Sequence, residues 1–504
     1  MQMLTRGHDM KSCGIVGILL YAVCVQISAL AATDNGPFKS YPAMTALPVG
    51  VRITFEVAQP TDVEISVLDA GDRVIRHLAA GVLGGEFAPP EPLQKGMRQS
   101  IQWDGRDDSG QPAAGGPLTV RIRTGMQSRL GGLIGSATSP PVIWLSNVGN
   151  QGQKLVRIEN RGEKLVVTDE ITVDADAGFV KLWTDPLTDD VYVNNGWNRL
   201  TRYNGLTGES GKLAEGAIDL AVGPDRNLYM VGRTGWKEPV YRCDLQLKPV
   251  PFTATGKPTA AKEIYGRYGM GWSNKGLAVA PDGRIFVRHM YDWTKYHVLV
   301  FRPDGSLEEH DRVAGGIVGP VDDQTGGLRV DRQGNIYLSM AGHPKDSRIK
   351  ARRFEGCVVK VASSGGGLVA EQGPVSGMAF AKHFFEGAIT AYPHLAPRQD
   401  PSGCVCKEAR FDVDDFGRIY VPNIIDFCVR VYDNAGNLIH RFGRYGNADS
   451  TGSDGKETAS VIPLGWPMTC GVNRHGRVYI ADVLNHRIVR ADLCYDTEVK
   501  GEIK

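Results

Sequence analysis

Apolar and polar residues alternate along much of this chain in short runs that are separated by turn residues. Four stretches share one order: a β-type run, an Asp/Gly-type turn, a second β-type run and then a third. They are GLAVAPDGRIFVRHMYD from Gly276, GLRVDRQGNIYLSMAG from Gly327, ARFDVDDFGRIYVPNIID from Ala409 and MTCGVNRHGRVYIADVLNHRIVRADL from Met468. Alternation with a period of two is typical of strands that bury one face. The pattern therefore predicts short antiparallel strands joined by tight turns.

The repetition predicts more than single strands, because each unit is a small twisted sheet that cannot bury both faces alone. Stacking such sheets around an axis gives a β-propeller. Further units start near Phe179 and Ala217, and a less regular one starts near Val142. Blade repeats are about 40 to 50 residues long, so the step from Gly327 to Ala409 carries an insertion, at about 362–408. We expect an all-β fold whose residues 142–504 form a six- or seven-bladed propeller.

A separate unit precedes the repeats. Residues 48–125 contain the alternating runs VRITFEV and VEISVLDA and a closing run LTVRIR, with an Asp-rich turn at Asp107-Asp108-Ser109-Gly110 between them. This pattern predicts a small β-sandwich. Residues 126–141, MQSRLGGLIGSATSPP, mix Gly, Ser and Pro without alternation and predict a linker.

Two resemblances refine this organisation. The order of LDAGDRVIRHL and WDGRDDSGQPAAGG between strands resembles the immunoglobulin-like domain related to the flagellar hook-capping protein, which implies an accessory module. The last repeat, RVYIADVLNHRIVRADL, resembles the NHL repeat, and RIYVPNIIDFCVRVYD keeps its frame. The resemblance implies an NHL-type propeller and leaves the activity open, because one fold hosts many functions. The unit at Gly327 departs from the repeat after SMAG, so its third strand is expected at CVVKV.

The first residues predict export. Arg6 and Lys11 precede the apolar stretch CGIVGILLYAVCVQISAL, and Ala29-Leu30-Ala31 fits a small-x-small cleavage site. We expect residues 1–31 to be a signal peptide, with a retained anchor as the alternative. The mature protein is then secreted, periplasmic or bound to the cell envelope, with no stable transmembrane segment once the leader is cleaved.

The charge of the chain limits the classes of partner that it is expected to bind. Lys plus Arg (57) and Asp plus Glu (56) nearly cancel, so a basic footprint for nucleic acid is absent.

Seven cysteines follow the leader, and in an oxidising compartment some are expected to pair. The preferred interpretation joins Cys404 or Cys406 to Cys357, Cys428 or Cys470; metal ligation by the Cys-x-Cys pair is the alternative.

The candidate site follows from the strand order within a blade. The Asp/Gly hairpins share one face and are interpreted as turns, whereas the loops after the second strands collect on the opposite face. These loops and the crossings between blades carry the candidate binding residues Trp272, His289, Tyr291, Asp292, Trp293, His343, Asn423, Asp426, Trp466 and Asn485. For Asn485 the alternative is that it caps its own turn. The insertion also predicts a short amphipathic helix over 378–385.

Three functions remain open at this point. The first is an exported, non-catalytic recognition protein that binds a glycan, peptide or protein at the channel mouth, with no cofactor. The alternative is a metal-dependent lactonase or lyase in the channel, with His289, Asp292 and His343 holding calcium or zinc. A minor third hypothesis is a surface-assembly component that is crosslinked through a free cysteine.

Overall fold

The structure, a computed structural model, describes residues 36–114, 116–135, 143–145, 154–161, 164–172, 181–194, 199–215, 217–232, 240–261, 274–292, 295–321, 326–345, 355–370, 383–397, 409–446, 461–485 and 487–503. Within these ranges the regular elements are β-strands and one 3-10 turn at Val313–Gly315, so the all-β prediction is confirmed. No helix in the described ranges is long and apolar enough to cross a membrane. The predicted signal peptide lies outside the described residues.

The N-terminal unit is a sandwich of two sheets. Its strands are β1 (Phe38–Ala46), β2 (Val51–Val57), β3 (Thr61–Leu68), β4 (Val74–Leu83), β5 (Arg98–Trp103) and β6 (Thr119–Gly135). One sheet has the order β1-β2-β5, and β6-β3-β4 belong to the other. Alternate residues of β2 are buried, and side chains such as Ile53, Phe55, Ile65 and Trp103 fill the space between the sheets. The membership of the hook-capping family stays a prediction.

Strand β6 corrects the predicted linker at 126–141. Residues 126–135 continue β6 out of the sandwich, and residues 136–142 lie outside the described ranges. The glycines that suggested flexibility serve close packing instead, since a Cβ on Gly131 would lie 2.5 Å from Nε of Arg490. Met126 and Ile134 are buried in clusters of the propeller. The unit near Val142 follows as a three-stranded sheet of β7 (Ile143–Leu145), β8 (Lys154–Arg161) and β9 (Lys164–Thr172).

Six antiparallel sheets, numbered here as blades in chain order, follow. The first blade has β10 (Lys181–Thr184), β11 (Asp190–Asn194), β12 (Arg199–Asn204) and β13 (Ser210–Glu215), and the second has β14 (Ala217–Val222), β15 (Leu228–Gly232) and β16 (Val240–Cys243). The third has β17 (Asn274–Val279), β18 (Ile285–Asp292), β19 (Lys295–Phe301), β20 (Leu307–Glu308) and β21 (Val318–Val321).

The fourth blade contains the predicted insertion. It has β22 (Leu328–Val330), β23 (Ile336–Met340), β24 (Gly356–Val361) and β27 (Ala388–Leu395), and a hairpin of β25 (Gly367–Ala370) and β26 (His383–Glu386) projects from it. The third strand falls on GCVVKV, as expected. The helix predicted over 378–385 is wrong at His383–Phe385, because these residues pair with β25 as a strand; residues 371–382 lie outside the described ranges.

The fifth and sixth blades complete the ring. The fifth has β28 (Asp412–Val413), β29 (Ile419–Asn423), β30 (Cys428–Tyr432) and β31 (Leu438–Phe442), followed by a parallel pair, β32 (Arg444–Tyr445) and β33 (Pro463–Leu464). The sixth has β34 (Pro467–Val472), β35 (Arg477–Asp482) and β36 (Arg487–Glu502), and its fourth strand is β6. Strand β36 pairs with β6 along its length: Arg487 lies opposite Gly135 at one end, and Glu502 lies opposite Thr119 at the other.

Contacts between successive inner strands show that the ring is closed. The first and second blades meet at Trp183 and Asp219, and the second and third share an apolar cluster. The third and fourth blades meet at Gly276 and Leu328. Asp412 of the fifth blade contacts Arg329 of the fourth and Val472 of the sixth. The Thr184 hydroxyl of the first blade donates to the Val472 carbonyl of the sixth at 3.3 Å. These blades therefore touch directly, and the β7–β9 sheet does not separate them.

Candidate functional site

The face that carries the loops after the second strands is called the loop rim here. Strands β18, β23, β29 and β35 run in the same direction, since each is the second strand of its blade, and they end at this rim. The predicted segments around His343, Asn423 and Asn485 therefore share one face. Trp272 and Trp293 lie outside the described residues, and Asp292 is described only as the last residue of β18.

Asn423 is a buried residue at the end of β29. Its Oδ1 accepts hydrogen bonds from the backbone N–H groups of Ile425 and Asp426, both at 2.8 Å. Its Nδ2 donates to Oε1 of the buried Glu355 at 2.8 Å and to the His394 carbonyl at 2.7 Å. Asp426 forms an ion pair with Arg430. The polar atoms of Asn423 thus hold the turn and join the fourth and fifth blades.

Asp482 and Asn485 form a similar capping arrangement in the sixth blade. Oδ1 of Asp482 accepts hydrogen bonds from the N–H groups of Gly465 (2.8 Å) and Trp466 (2.7 Å). Asn485 donates to Asp482 at 2.7 Å and to the Gly446 carbonyl at 2.9 Å. These bonds tie Asn485 to Asp482 and to the crossing between the fifth and sixth blades rather than to the backbone of its own turn. Trp466 is half-buried beside them.

The candidate metal residues show less convergence than the metal hypothesis requires. His289 is buried within the third blade, and its ring centroid lies 5.8 Å from that of His297. Tyr291 is half-buried, 5.1 Å from the same His297 ring. His343 is half-buried in the loop after β23. Among the residues that the structure describes, no group of three or more His, Cys, Asp or Glu side chains is placed to hold a metal ion.

Glu355 is a rim residue that the sequence analysis missed. Its side chain is fully buried, and Oε2 lies 3.0 Å from Nδ1 of His394, which has a φ of +71°. A buried carboxylate needs such donors to offset its lost hydration. The available signal was a lone acidic residue just before the apolar run GCVVKV.

The axis of the ring is occupied by side chains from facing blades. Nη1 of Arg410, next to the inner strand of the fifth blade, lies 2.7 Å from Oδ2 of Asp219 in the second blade. Nε1 of Trp183 donates to Oδ1 of Asp219 at 3.0 Å. All three side chains are buried. The described part of the axis thus holds a structural ion pair.

A large opening lies on the opposite, hairpin face, where the sandwich docks. This interdomain cleft has a volume of about 1000 Å³. Its lining includes His77, Gln102 and Asp108 from the sandwich and Arg332, Gln333, Asp415, Phe416 and Asn434 from the fourth and fifth blades. These hairpins, predicted only as turns, also contribute side chains to the lining of the cleft. Gly283 and Gly417 do take the positive φ of tight turns (85° and 78°), but the neighbouring Phe416 and Arg332 side chains face the cleft.

A network of charged side chains bridges the cleft. The Asp108 carboxylate accepts a hydrogen bond from Nδ1 of His77 at 2.5 Å and forms a bidentate ion pair with Arg332. Arg332 also reaches Asp415 at 3.0 Å, and Asp415 pairs with Arg474. Burial alone would raise the pKa of Asp108, but hydrogen bonds from His77 and Arg332 outweigh it and hold this pKa well below the usual range. The pKa of Asp415 is lowered because the neighbouring cations outweigh its burial.

Further buried contacts fix the sandwich on the propeller. Arg418 of the fifth blade donates to Glu64 of the sandwich at 2.9 Å, and the Tyr495 hydroxyl donates to the same carboxylate at 2.5 Å. Burial opposes ionisation of Glu64, but the surrounding arginines, Arg418 foremost, outweigh it and lower its pKa. The Val82 N–H donates to Asp433 at 3.0 Å. A second cavity of about 510 Å³ lies beside Glu64 and Arg418. Its lining shares His77, Asp415 and Phe416 with the cleft.

The cysteines correct the predicted disulfides. Cys357, Cys428 and Cys470 each carry a thiol, and Cys404 and Cys406 lie outside the described residues. The Cys357 thiol donates to the Gly342 carbonyl at 2.9 Å, and that of Cys470 lies 3.4 Å from the Tyr420 carbonyl. Burial raises the pKa of the Cys428 and Cys470 thiols, which disfavours the reactive thiolate.

Known structures resemble this chain at low sequence identity. No protein-family model matches the chain, and no curated protein matches it. The solved structures that it resembles are β-propeller proteins. An auxiliary nutrient binding protein from Bacteroides ovatus is 12% identical, with a TM-score of 0.36, over 91% of this chain and 100% of that one.

Two further structures are similar over less of the chain. A gluconolactonase from Xanthomonas campestris is 14% identical, with a TM-score of 0.37, over 72% of this chain and 98% of that one. The PQQ-bound aldose sugar dehydrogenase from Streptomyces coelicolor is 13% identical, with a TM-score of 0.40, over 63% of this chain and 95% of that one. These likenesses are of fold alone, and the NHL assignment stays a prediction.

Proposed function

We propose that this chain is an exported recognition protein that binds its ligand without catalysis in the interdomain cleft. The observation that carries the proposal is the cleft itself: an opening of about 1000 Å³, lined by polar and apolar residues, between two units that are locked together by buried ion pairs. Ligand sites occur preferentially at domain boundaries, and this volume is at the upper end of their usual range. The leader sequence and the near-zero net charge support export and a partner other than nucleic acid.

The ionisation of Asp108 and Asp415 argues against a hydrolase that uses these two carboxyl groups as an acid–base pair. Hydrolases that use two carboxyl groups keep one of them protonated by raising its pKa. Here Asp108 and Asp415 both have lowered pKa values, because His77 and the arginines stabilise their charged forms. Asp62 and Asp433, whose pKa values burial raises, accept backbone N–H bonds and do not line the cleft.

The channel enzyme is the weaker hypothesis. A lactonase or lyase with a metal on the axis needs ligands that converge there, and the Arg410–Asp219 pair and Trp183 fill that position. Elemental analysis of the purified protein addresses this hypothesis directly. A near-stoichiometric metal and a chelator-sensitive turnover would favour the enzyme over the recognition protein.

Two exposed glutamines provide the test of the cleft. Gln102 and Gln333 line it from the sandwich and from the propeller, respectively, and neither side chain is buried. We expect the Gln102→Ala/Gln333→Ala double variant to bind about tenfold more weakly to any ligand found on glycan and peptide arrays, since each lost hydrogen bond contributes about 0.5–1.5 kcal/mol. Gln246→Ala, at an exposed glutamine outside the cleft lining, is the matched control.

A further variant separates the cleft from the loop rim. Trp466→Ala changes the half-buried aromatic residue at the rim and leaves the cleft lining intact. If this variant loses binding while the double glutamine variant binds like the wild type, the ligand site is at the rim and the proposal is wrong.

A further inference from the structure

Building on the proposed function, we infer that the ligand of the interdomain cleft is a neutral, extended glycan chain. Three properties of the described residues carry this inference: the charge of the lining, its hydrogen-bonding groups, and the position of the second cavity beside the cleft. Each is independent of the others.

The charge of the lining disfavours polyanions. Carboxylates outnumber cations among its side chains: Glu91, Asp104, Asp108, Asp331, Asp414 and Asp415 against Arg76, Arg329, Arg332 and Lys360. The cations are already engaged. Arg332 pairs with Asp108 and Asp415, Arg329 lies 2.5 Å from Asp412, and Lys360 donates to Asn434 at 2.5 Å. In the larger cavity an acidic polymer would therefore meet excess negative charge and few uncommitted cations.

The hydrogen-bonding groups suit hydroxyls. Each sugar hydroxyl donates one hydrogen bond and accepts others. Paired carboxylates keep lone pairs for donors, and the exposed carboxamides of Gln102 and Gln333 offer both donors and acceptors. Large apolar side chains that are exposed in the described chain, such as Tyr41, Ile389 and Tyr445, lie outside the cleft lining. The cleft lining itself combines these polar groups with apolar residues such as Leu78, Pro90, Pro92 and Val330.

Two neighbouring cavities suit an extended ligand. The cavities of about 1000 and 510 Å³ lie side by side and share lining residues, among them Phe416. The Phe416 ring packs edge-to-face with His77, with ring centroids 4.6 Å apart, and the Arg418 guanidinium lies over it, 4.8 Å from the centroid. An aromatic ring held in this way is a preformed apolar surface in a groove that also carries polar groups. A chain of several sugars crosses it, whereas a monosaccharide fills one side only.

Calorimetric titration with neutral oligosaccharides tests the inference. The probes are cello-, xylo-, manno- and malto-oligosaccharides from disaccharide to hexasaccharide, oligogalacturonates as the acidic counterparts, and a peptide library. We expect one neutral series to bind with an affinity that rises with chain length, and the acidic series to bind more weakly. Phe416→Leu should lower the hexasaccharide affinity about tenfold and change the disaccharide affinity little. Phe384→Leu, at an exposed phenylalanine outside both cavities, is the control.

The outcomes separate this inference from the proposed function. If peptides bind and the Gln102→Ala/Gln333→Ala variant loses them, the cleft is the site and the glycan inference is wrong. A tighter acidic series, or an affinity independent of length, also overturns the inference. If a neutral chain binds the double variant and the wild type equally, the cleft is not the site and the proposed function itself is wrong.

Discussion

Arg410 and Asp219 form a buried ion pair of 2.7 Å although they belong to the fifth and second blades, which face each other across the ring. Trp183 of the first blade donates to the same carboxylate. Three blades therefore meet at one side chain on the axis. Such a contact fixes the distance across the ring, which the contacts between neighbouring blades do not fix directly.

Removal of this pair should weaken the ring strongly. Arg410→Met leaves the Asp219 carboxylate buried without its cation, and breaking a buried pair in this way costs about 3–5 kcal/mol. Urea unfolding followed by tryptophan fluorescence measures the loss. The control is Lys500→Met, which removes an exposed pair with Asp72 and should cost no more than about 1 kcal/mol. Equal losses in the two variants would contradict the structural role of Arg410.

The docked sandwich should make the protein acid-labile. Folding lowers the pKa values of Glu64, Asp108 and Asp415. A carboxyl of this kind contributes stability above its unfolded pKa, about 4, and loses it as the pH falls toward the folded pKa. The contribution of these three carboxyls to the free energy of unfolding should therefore change little between about pH 7 and pH 5 and fall below about pH 4.

Substitutions identify the source of this pH dependence. Asp108→Asn should flatten the fall in stability below about pH 4, because the variant has lost one group that takes up a proton on unfolding. Asp282→Asn, which changes an exposed carboxyl on a hairpin, is the comparison. Parallel curves for the wild type and Asp108→Asn would show that the cleft network does not cause the acid sensitivity.

Sandwich and propeller should unfold together. Strand β6 belongs to both units, and the buried Ile134 near its end packs in the cluster that joins the first and sixth blades. Ile134→Ala should destabilise the protein by about 2 kcal/mol or more and keep a single transition in calorimetry and in circular dichroism. Two separate transitions, with only one of them shifted by the substitution, would show that the units are independent.

The thiols should differ in reactivity. Cys428 and Cys470 are buried, and Cys494 is partly exposed. Alkylation of the native protein followed by peptide mass mapping should label Cys494 and leave the other two unlabelled until denaturant is added, because burial blocks access and disfavours the thiolate. Peptides crosslinked through Cys428 or Cys470 in a non-reduced digest would restore the disulfide hypothesis.

The sequence predicts what short-range patterns encode. The repeats at Gly276, Gly327, Ala409 and Met468 coincide with inner strands, hairpins and second strands of four blades. The displaced third strand at GCVVKV was predictable because the repeat breaks off after SMAG and an apolar run follows. The bond from Asn485 to Asp482 also follows from local spacing, whereas its bond to the Gly446 carbonyl does not.

What the sequence does not show is pairing between distant segments. Strand β6 pairs with β36 across more than half of the chain, and nothing in residues 126–135 marks that partner. From sequence alone the glycines of this segment indicate flexibility, because their packing against Arg490 and Asp492 of β36 is visible only in the structure. The cleft was missed for the same reason, since His77 and Asp415 meet only when the sandwich docks. Glu355 was missed because its partners come from two blades.

The long ladder between β6 and β36 also has a mechanical consequence. The two strands lie antiparallel over their whole length, from the sixth blade into the sandwich. A pull between a tethered sandwich and a ligand-loaded ring acts along these strands, so that the backbone bonds of the ladder bear the load together in shear rather than opening one by one. The covalent continuity of β6 places the junction between the two units among the parts of the molecule most resistant to tension.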